Sequence, residues 1–260
     1  IKRSALIKTA IALAVSASIL WILFLRIDAR KVASLIIESD LALVLLAVFI
    51  SLSVNIFLGA VKWQSILRGL GYTLPFREVF NIRSGCLPLK VIFPLKSSEL
   101  LKAFYLKKTG GIPASRAASS IILDKTLNIL ATLAIFLIGL LVADIELPRL
   151  LPVSALLLIT LFLFWAPAQE LVIKLAGSMH PKLRELSGQL LSAFREIKAG
   201  KKLYLIALSL VYQMSEAVNV YVLFKAMSIP VPFASILVFV PLVMTADNIP
   251  IADSPGTNKF

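Results

Sequence analysis

The sequence predicts an all-α fold, a polytopic transmembrane helical bundle with about six spans plus re-entrant or broken helices. Composition is the first reason: of 260 residues 59% are hydrophobic and 16% charged, too apolar for an ordinary soluble domain. The second is that the apolar residues fall in uncharged runs long enough for a helix to cross a bilayer. The third is that Lys and Arg are distributed unevenly between the segments joining those runs. The chain reads as one transmembrane domain over residues 1–260. Because it starts at Ile1 without Met and stops at Phe260 in a polar Gly/Pro segment, it is expected to be a piece of a longer protein, incomplete at its C-terminus.

The first span lies near residues 5–25. Its 21 residues cover about 31 Å, close to the hydrocarbon thickness. A cleaved leader has a shorter apolar region ending at a small-residue site, so this reads as a retained span. Further spans fall near 41–61, 119–143, 150–169 and 203–224, the last containing a single acid, Glu216. The sixth, near 233–249, is interrupted by Pro241. Its uninterrupted apolar stretch reaches only about 21 Å, so it is half a crossing or a broken helix.

With the N-terminus on the cytoplasmic side, 21 basic residues fall inside and five outside, with Lys259 unassigned. By the positive-inside rule this asymmetry sets the orientation, in the plasma (inner) membrane, with a cytoplasmic N-terminus. The formal net charge of +13 therefore has a topological cause, and nucleic acid is not an expected partner. Membrane lipids are the expected partners, since juxtamembrane Lys and Arg are drawn to anionic headgroups. Between the fourth and fifth spans, residues 171–200 carry Leu183, Leu186, Leu190, Phe194 and Ile197 at helical spacing. That pattern predicts a cytoplasmic amphipathic connector. One cysteine, Cys86, and one histidine, His180, exclude a disulfide framework and leave no metal site or cofactor to expect.

The segment NIRSGCLPLKVIFPLKSSELLKAFYL does not fit a simple span. It is apolar enough to enter the bilayer, yet Gly85, Pro88 and Pro94 break it and Arg83, Lys90, Lys96 and Glu99 stud it. Irregular backbone at membrane depth is tolerated only inside protein or beside a wet cavity, so residues 84–106 are a re-entrant candidate entering from the cytoplasm. The alternative is a cytoplasmic loop followed by a surface amphipathic helix, although VIFPL would then expose five apolar residues to water. Pro88 and Pro94 disfavour helix before them, and Ser97 or Ser98 caps a new helix running through Glu99 and Lys102. A helix start at this depth aims free N–H groups and positive dipole at whatever lies ahead, which suits an anion.

Two more polar sets sit inside spans. Asp124 and Asn128, four apart, share a face at the mouth of the third span. Either they are a helix end meeting water, or Asp124 pairs with Lys96 or Lys102 and holds the broken helix, while Lys125 points toward the headgroups. In the fifth span Ser209, Tyr212, Glu216 and Asn219 lie within about 80° of one another around the helix, flanked by Gln213. An acid at a helix centre costs roughly 2.5 to 3.5 kcal/mol on insertion scales, so Glu216 should face the bundle interior. It is then a functional group or a hydrogen-bonding link between helices. In the terminal ADNIPIADSPGTNKF, Pro250, Pro255 and Gly256 form a second break. Paired breaks in separate halves point to a transporter site.

The run PLKSSELLKAFYLKKTGGIPASRAASSIILDKTLN resembles the Pro–x–x–x–Gly–Glu–x–x–Arg and Glu–Arg–x–x–Asp segments of the flippase-like family, also called the lysylphosphatidylglycerol synthase transmembrane region. Pro94 and Glu99 match, Ser98 stands for the family's Gly and Lys102 for its Arg, and Asp124, Lys125 and Asn128 stand for Glu, Arg and Asp. Lys62-Trp63 is similar to its Arg-Trp, and IPIADSPGTNKF to its second Pro/Gly motif, with Pro250 and Gly256 kept. The resemblance implies a bundle of eight or more spans with re-entrant helices that moves or handles anionic or polyprenyl-linked lipids.

The function expected is therefore a flippase-like membrane protein working by alternating access. A phosphate-bearing headgroup would be drawn in by Arg83, Lys90, Lys96 and Lys102 and received near Ser97 and Ser98, with Glu99, Asp124 and Glu216 balancing charge. The alternatives are the membrane half of a lipid or glycosyl transferase and a scaffold without transport activity. No nucleotide-binding glycine loop, acidic metal pair or nucleophile with an adjacent base is present, which favours a transporter over an enzyme.

Overall fold

A computed structural model describes residues 21, 28–88, 97–143, 148, 150–164, 192 and 194–248, which form helices with no strand among them. The all-α membrane class read from the sequence is the one observed. The first span near 5–25, apart from Trp21, lies outside the described residues, as do most of the 171–200 connector and the terminal break at Pro250, Pro255 and Gly256.

Helix α1, Ala29–Ile37, leads into α2, Leu41–Leu52. Asp40 caps α2 by accepting from the amides of Ala42 and Leu43, satisfying donors that a helix start otherwise leaves bare. A π-helical turn, Ser53–Leu58, joins α2 to α3, Gly59–Gly69. There the amide of Gly59 donates to the carbonyl of Val54, five residues back. The extra residue in that turn rotates the faces of the rod. Most of α2 lies open on one side at Leu45, Leu46, Val48, Phe49 and Leu52, whereas α3 buries Ala60, Lys62, Trp63, Gln64, Ile66 and Leu67.

The rod Leu41–Gly69 is one continuous helix of 29 residues, about 43 Å long. It stops because Gly71 adopts φ 87°, and Tyr72 then donates back to the carbonyl of Leu67. This is the glycine-terminated cap that only a residue without Cβ adopts freely. Helix α4, Phe76–Cys86, turns back along α3, and α5, Ser97–Gly110, packs on both α4 and α6, Ala114–Val142. Helix α7 is Leu150–Phe164, α8 is Ala199–Ala226 and α9 is Phe233–Asn248, which keeps Pro241 inside its run. Among the described residues, Leu41–Gly69, Ala114–Val142 and Ala199–Ala226 are long and apolar enough to cross a membrane.

Helix α6 is the axis, touching α3, α5, α7, α8 and α9. At one end Trp63, Leu67, Val79, Leu106 and Ile121 form a core beneath α4 and α5. Phe194 and Ile197, from the end of the connector, join Ile66, Leu123, Leu127 and Leu205 beside it. At the other end Ile135, Ala217, Ile236 and Leu237 pack α6, α8 and α9 together. The polar residues Asp124, Asn128 and Thr132, each four apart on α6, run along one face between these ends.

Candidate functional site

That face meets α3, α4 and α8. Lys62 Nζ lies 2.7 Å from Asp124 Oδ1, with the lysine side chain fully buried. Arg83 Nη1, from α4, lies 3.7 Å from Asp124 Oδ2. Both are ion pairs, the lysine's the closer of the two. Lys62 also donates to Asn128 Oδ1. Tyr212 of α8 covers both cations, with Lys62 Nζ 5.3 Å and Arg83 Cζ 6.0 Å from its ring centroid, within cation–π range.

A second ionic set adjoins the first. Glu99 Oε2 lies 2.9 Å from Lys102 Nζ, one helical turn on, and Glu99 Oε1 lies 3.2 Å from Lys125 Nζ. Burial opposes ionisation of Glu99, but the Lys102 and Lys125 ammonium groups outweigh it and hold its carboxyl below the usual carboxylate range. Lys102 also acts electrostatically on Asp124, so the two sets form one network. Among the described residues it contains four cations, Lys62, Arg83, Lys102 and Lys125, and two carboxylates, Glu99 and Asp124, with a third, Glu216, acting on Tyr212 beside them. Buried charges are retained only when paired, and here cations outnumber carboxylates.

Neutral groups hold the frame. Gln213 donates to the carbonyl of Asn128 at 3.2 Å and to Thr132 Oγ1, locking α8 to α6. Trp63 Nε1 reaches Ser120 Oγ at 3.4 Å. On the side of α8 away from Tyr212 and Glu216, a hollow of about 650 Å³ is lined mostly by apolar residues, among them Phe49, Ile135, Leu210 and Met214, with Ser53 and Ser215 the polar ones.

The structure thus brings Arg83, Glu99, Lys102, Asp124, Asn128 and Tyr212 into one network. Glu216 acts electrostatically on Tyr212 from the same helix. Ser209 is buried but bonds back to the carbonyl of Leu205, and Asn219 stands a further turn along with a buried side-chain oxygen. Lys90, Lys96 and the side chains of Ser97 and Ser98 lie outside the described residues, although α5 does begin at Ser97.

Two expected contacts are corrected. Asp124 pairs with Lys62 and Arg83; of the two partners expected for it, Lys102 is taken by Glu99, three residues before it on the same helix, and Lys96 lies outside the described residues. Lys125, expected to point toward the headgroups, makes an ion pair with Glu99 of α5 while 35% of its side chain stays exposed. The residue that sequence reasoning left out of the site is Lys62, read as the charge that ends a span. The spacing of Trp63, Ile66, Leu67 and Leu70 continues the helical apolar period past it, and that signal places Lys62 inside the helix.

These features define a polytopic α-helical membrane protein with a cation-rich ionic cluster buried where its long helices meet. The chain belongs to the lysylphosphatidylglycerol synthase TM region family, whose pattern it matches over residues 9–254. It is also similar to a UPF0104 membrane protein of Methanocaldococcus jannaschii, 27% identical over 136 residues, which is 51% of this chain and 40% of that relative's length. No solved structure matches the chain.

Proposed function

We propose that this chain is a flippase-like unit that translocates or handles anionic or polyprenyl-linked lipids by alternating access, in the plasma membrane with its N-terminus in the cytoplasm. The observation that carries this reading is the excess of cations among the described residues at the junction of α3, α4, α5 and α6, four against Glu99, Asp124 and the nearby Glu216. A low-dielectric site with surplus positive charge favours an anion, and Arg83 brings a planar fork matched to phosphate oxygens. The apolar hollow against α2, α6 and α8 offers hydrocarbon-compatible surface within the same bundle.

The test is headgroup translocation of fluorescent anionic lipids in liposomes. Arg83→Gln and Glu216→Gln should each reduce the rate at least tenfold. Rates equal to those of the unaltered protein would remove the site as drawn. The family's description, naming a membrane region of a synthase, supports a second reading, the membrane half of a lipid transferase. Lipid modification by the full-length protein that needs these same residues, without translocation, would favour it.

A further inference from the structure

We propose that Asp124 and Glu99 occupy the places that phosphate oxygens of the ligand take, so that an anionic headgroup enters by displacing two resident carboxylates in turn. The inference rests on the reading of the cluster as an anion site. It adds how the site is kept shut and the order in which it fills.

Exposure gives the order. Lys125 has 35% of its side chain open, Glu99 17% and Lys102 11%, whereas Asp124 has 8% and Lys62 none. An incoming anion therefore meets Glu99 with its two lysines first and Asp124 with Lys62 and Arg83 last. Each carboxylate bridges cations on different elements: Glu99 joins α5 to α6, and Asp124 joins α6 to α3 and α4. A carboxylate offers two oxygens and one charge. A terminal phosphate monoester, or free phosphate, offers three or more acceptor oxygens and up to two charges, so it can satisfy the same cations with more bonds. The 3.7 Å separation on the Arg83 side against 2.7 Å on the Lys62 side makes the arginine arm the looser one, the arm that opens first within the inner set.

A resident competitor lowers apparent affinity by the fraction of time it holds the site. Weakening its grip should tighten ligand binding, the opposite of what loss of a scaffold would do. The test titrates the detergent-purified protein with dihexanoyl phosphatidic acid and, separately, with inorganic phosphate, by calorimetry. Glu99→Gln should bind the lipid about tenfold more tightly than the unaltered protein. Glu99→Asp keeps the charge but is one methylene too short to hold both lysines, and should tighten binding severalfold. A gain in Glu99→Gln absent from Glu99→Asp would be a plain charge effect and would overturn displacement. Unchanged or weaker binding in both variants would overturn it too. Tighter binding of the lipid than of free phosphate assigns the site to a headgroup with its chain, and equal affinity assigns it to phosphate alone; both require displacement to hold in the variants. If neither probe binds the unaltered protein or any variant, the anion-site reading itself fails along with this inference.

Discussion

Arg83 rests its guanidinium on the bare backbone of Gly59, so closely that a Cβ at position 59 would collide with it. Gly59 follows the π-helical turn directly, and such turns recur at functional sites. The glycine thus clears the path by which Arg83 crosses from α4 to Asp124 and Tyr212. The obstructing atoms are the end of a flexible side chain, so Gly59→Ala should move the arginine rather than the helix. Replacing glycine within a helix adds up to about 1 kcal/mol of helix propensity. Near-unaltered thermal unfolding in detergent with at least tenfold slower lipid translocation is the expected pair of results. Unaltered translocation would mean that Arg83 need not sit where it does.

The pair of Lys62 and Asp124 should behave as a buried ion pair in stability measurements. Removing one partner from such a pair costs about 3–5 kcal/mol, while replacing both by apolar residues of similar volume is often neutral. Asp124→Leu alone leaves Lys62 fully buried with only Asn128 and the Tyr212 ring as remaining contacts of those described above, and should lower the unfolding midpoint strongly. Adding Lys62→Met should recover much of that loss while leaving translocation abolished. Chemical denaturation of the single and double variants reads the coupling directly.

Much of this arrangement can be read from residue order alone. The spacing of Asp124 and Asn128, and of Ser209, Tyr212, Glu216 and Asn219, marks which faces of α6 and α8 turn inward, because helical periodicity is local. Glu99 and Lys102 pair within one turn for the same reason. What residue order does not carry is which helices meet. Lys62 joins the site through contacts 62 residues away in sequence from Asp124, and the π-helical turn rotates its face in a way no apolar period announces. A charged residue after 21 uncharged ones reads as a span's end, yet here a buried carboxylate on α6 lets the helix carry it inward.

The exposed pair of Arg116 and Glu196 offers a contrast. Both Glu196 oxygens lie 2.8 Å from Arg116 Nη1, clipping the end of the connector to the start of α6, but each side chain is 41% exposed. Exposed pairs contribute about 0–1 kcal/mol and are screened by salt. Arg116→Ala should therefore shift the unfolding midpoint by no more than a degree or two, and less in 0.5 M salt than in 0.05 M. The connector stays docked because Phe194 and Ile197 are buried, with Ile197 Cγ1 3.1 Å from where a Cβ on Gly69 would stand. Phe194→Ala should cost about 3–5 kcal/mol, far more than the loss of the surface clip.

Gly139 is the counterpart of Gly59, with the opposite outcome. A Cβ there would stand 2.7 Å from the carbonyl carbon of Leu237 and 2.8 Å from its oxygen, so the atoms in the way belong to the backbone of α9. Small residues at helix crossings in membranes let backbones approach closely enough for dispersion contacts to hold them. A backbone cannot swing aside as a guanidinium does. Gly139→Ala should force α6 and α9 apart and cost about 1–3 kcal/mol, the range for overpacking a filled interior. Gly139→Val should cost more, because its two methyls add volume where a Cβ alone already stands 2.9 Å from Leu237 Cβ. Because the ionic cluster lies at the other end of α6, detergent-purified Gly139→Ala should still bind dihexanoyl phosphatidic acid with the affinity of the unaltered protein below its lowered unfolding temperature. Loss of binding together with stability would mean that α9 holds the cluster's geometry, and that the two ends of α6 are coupled.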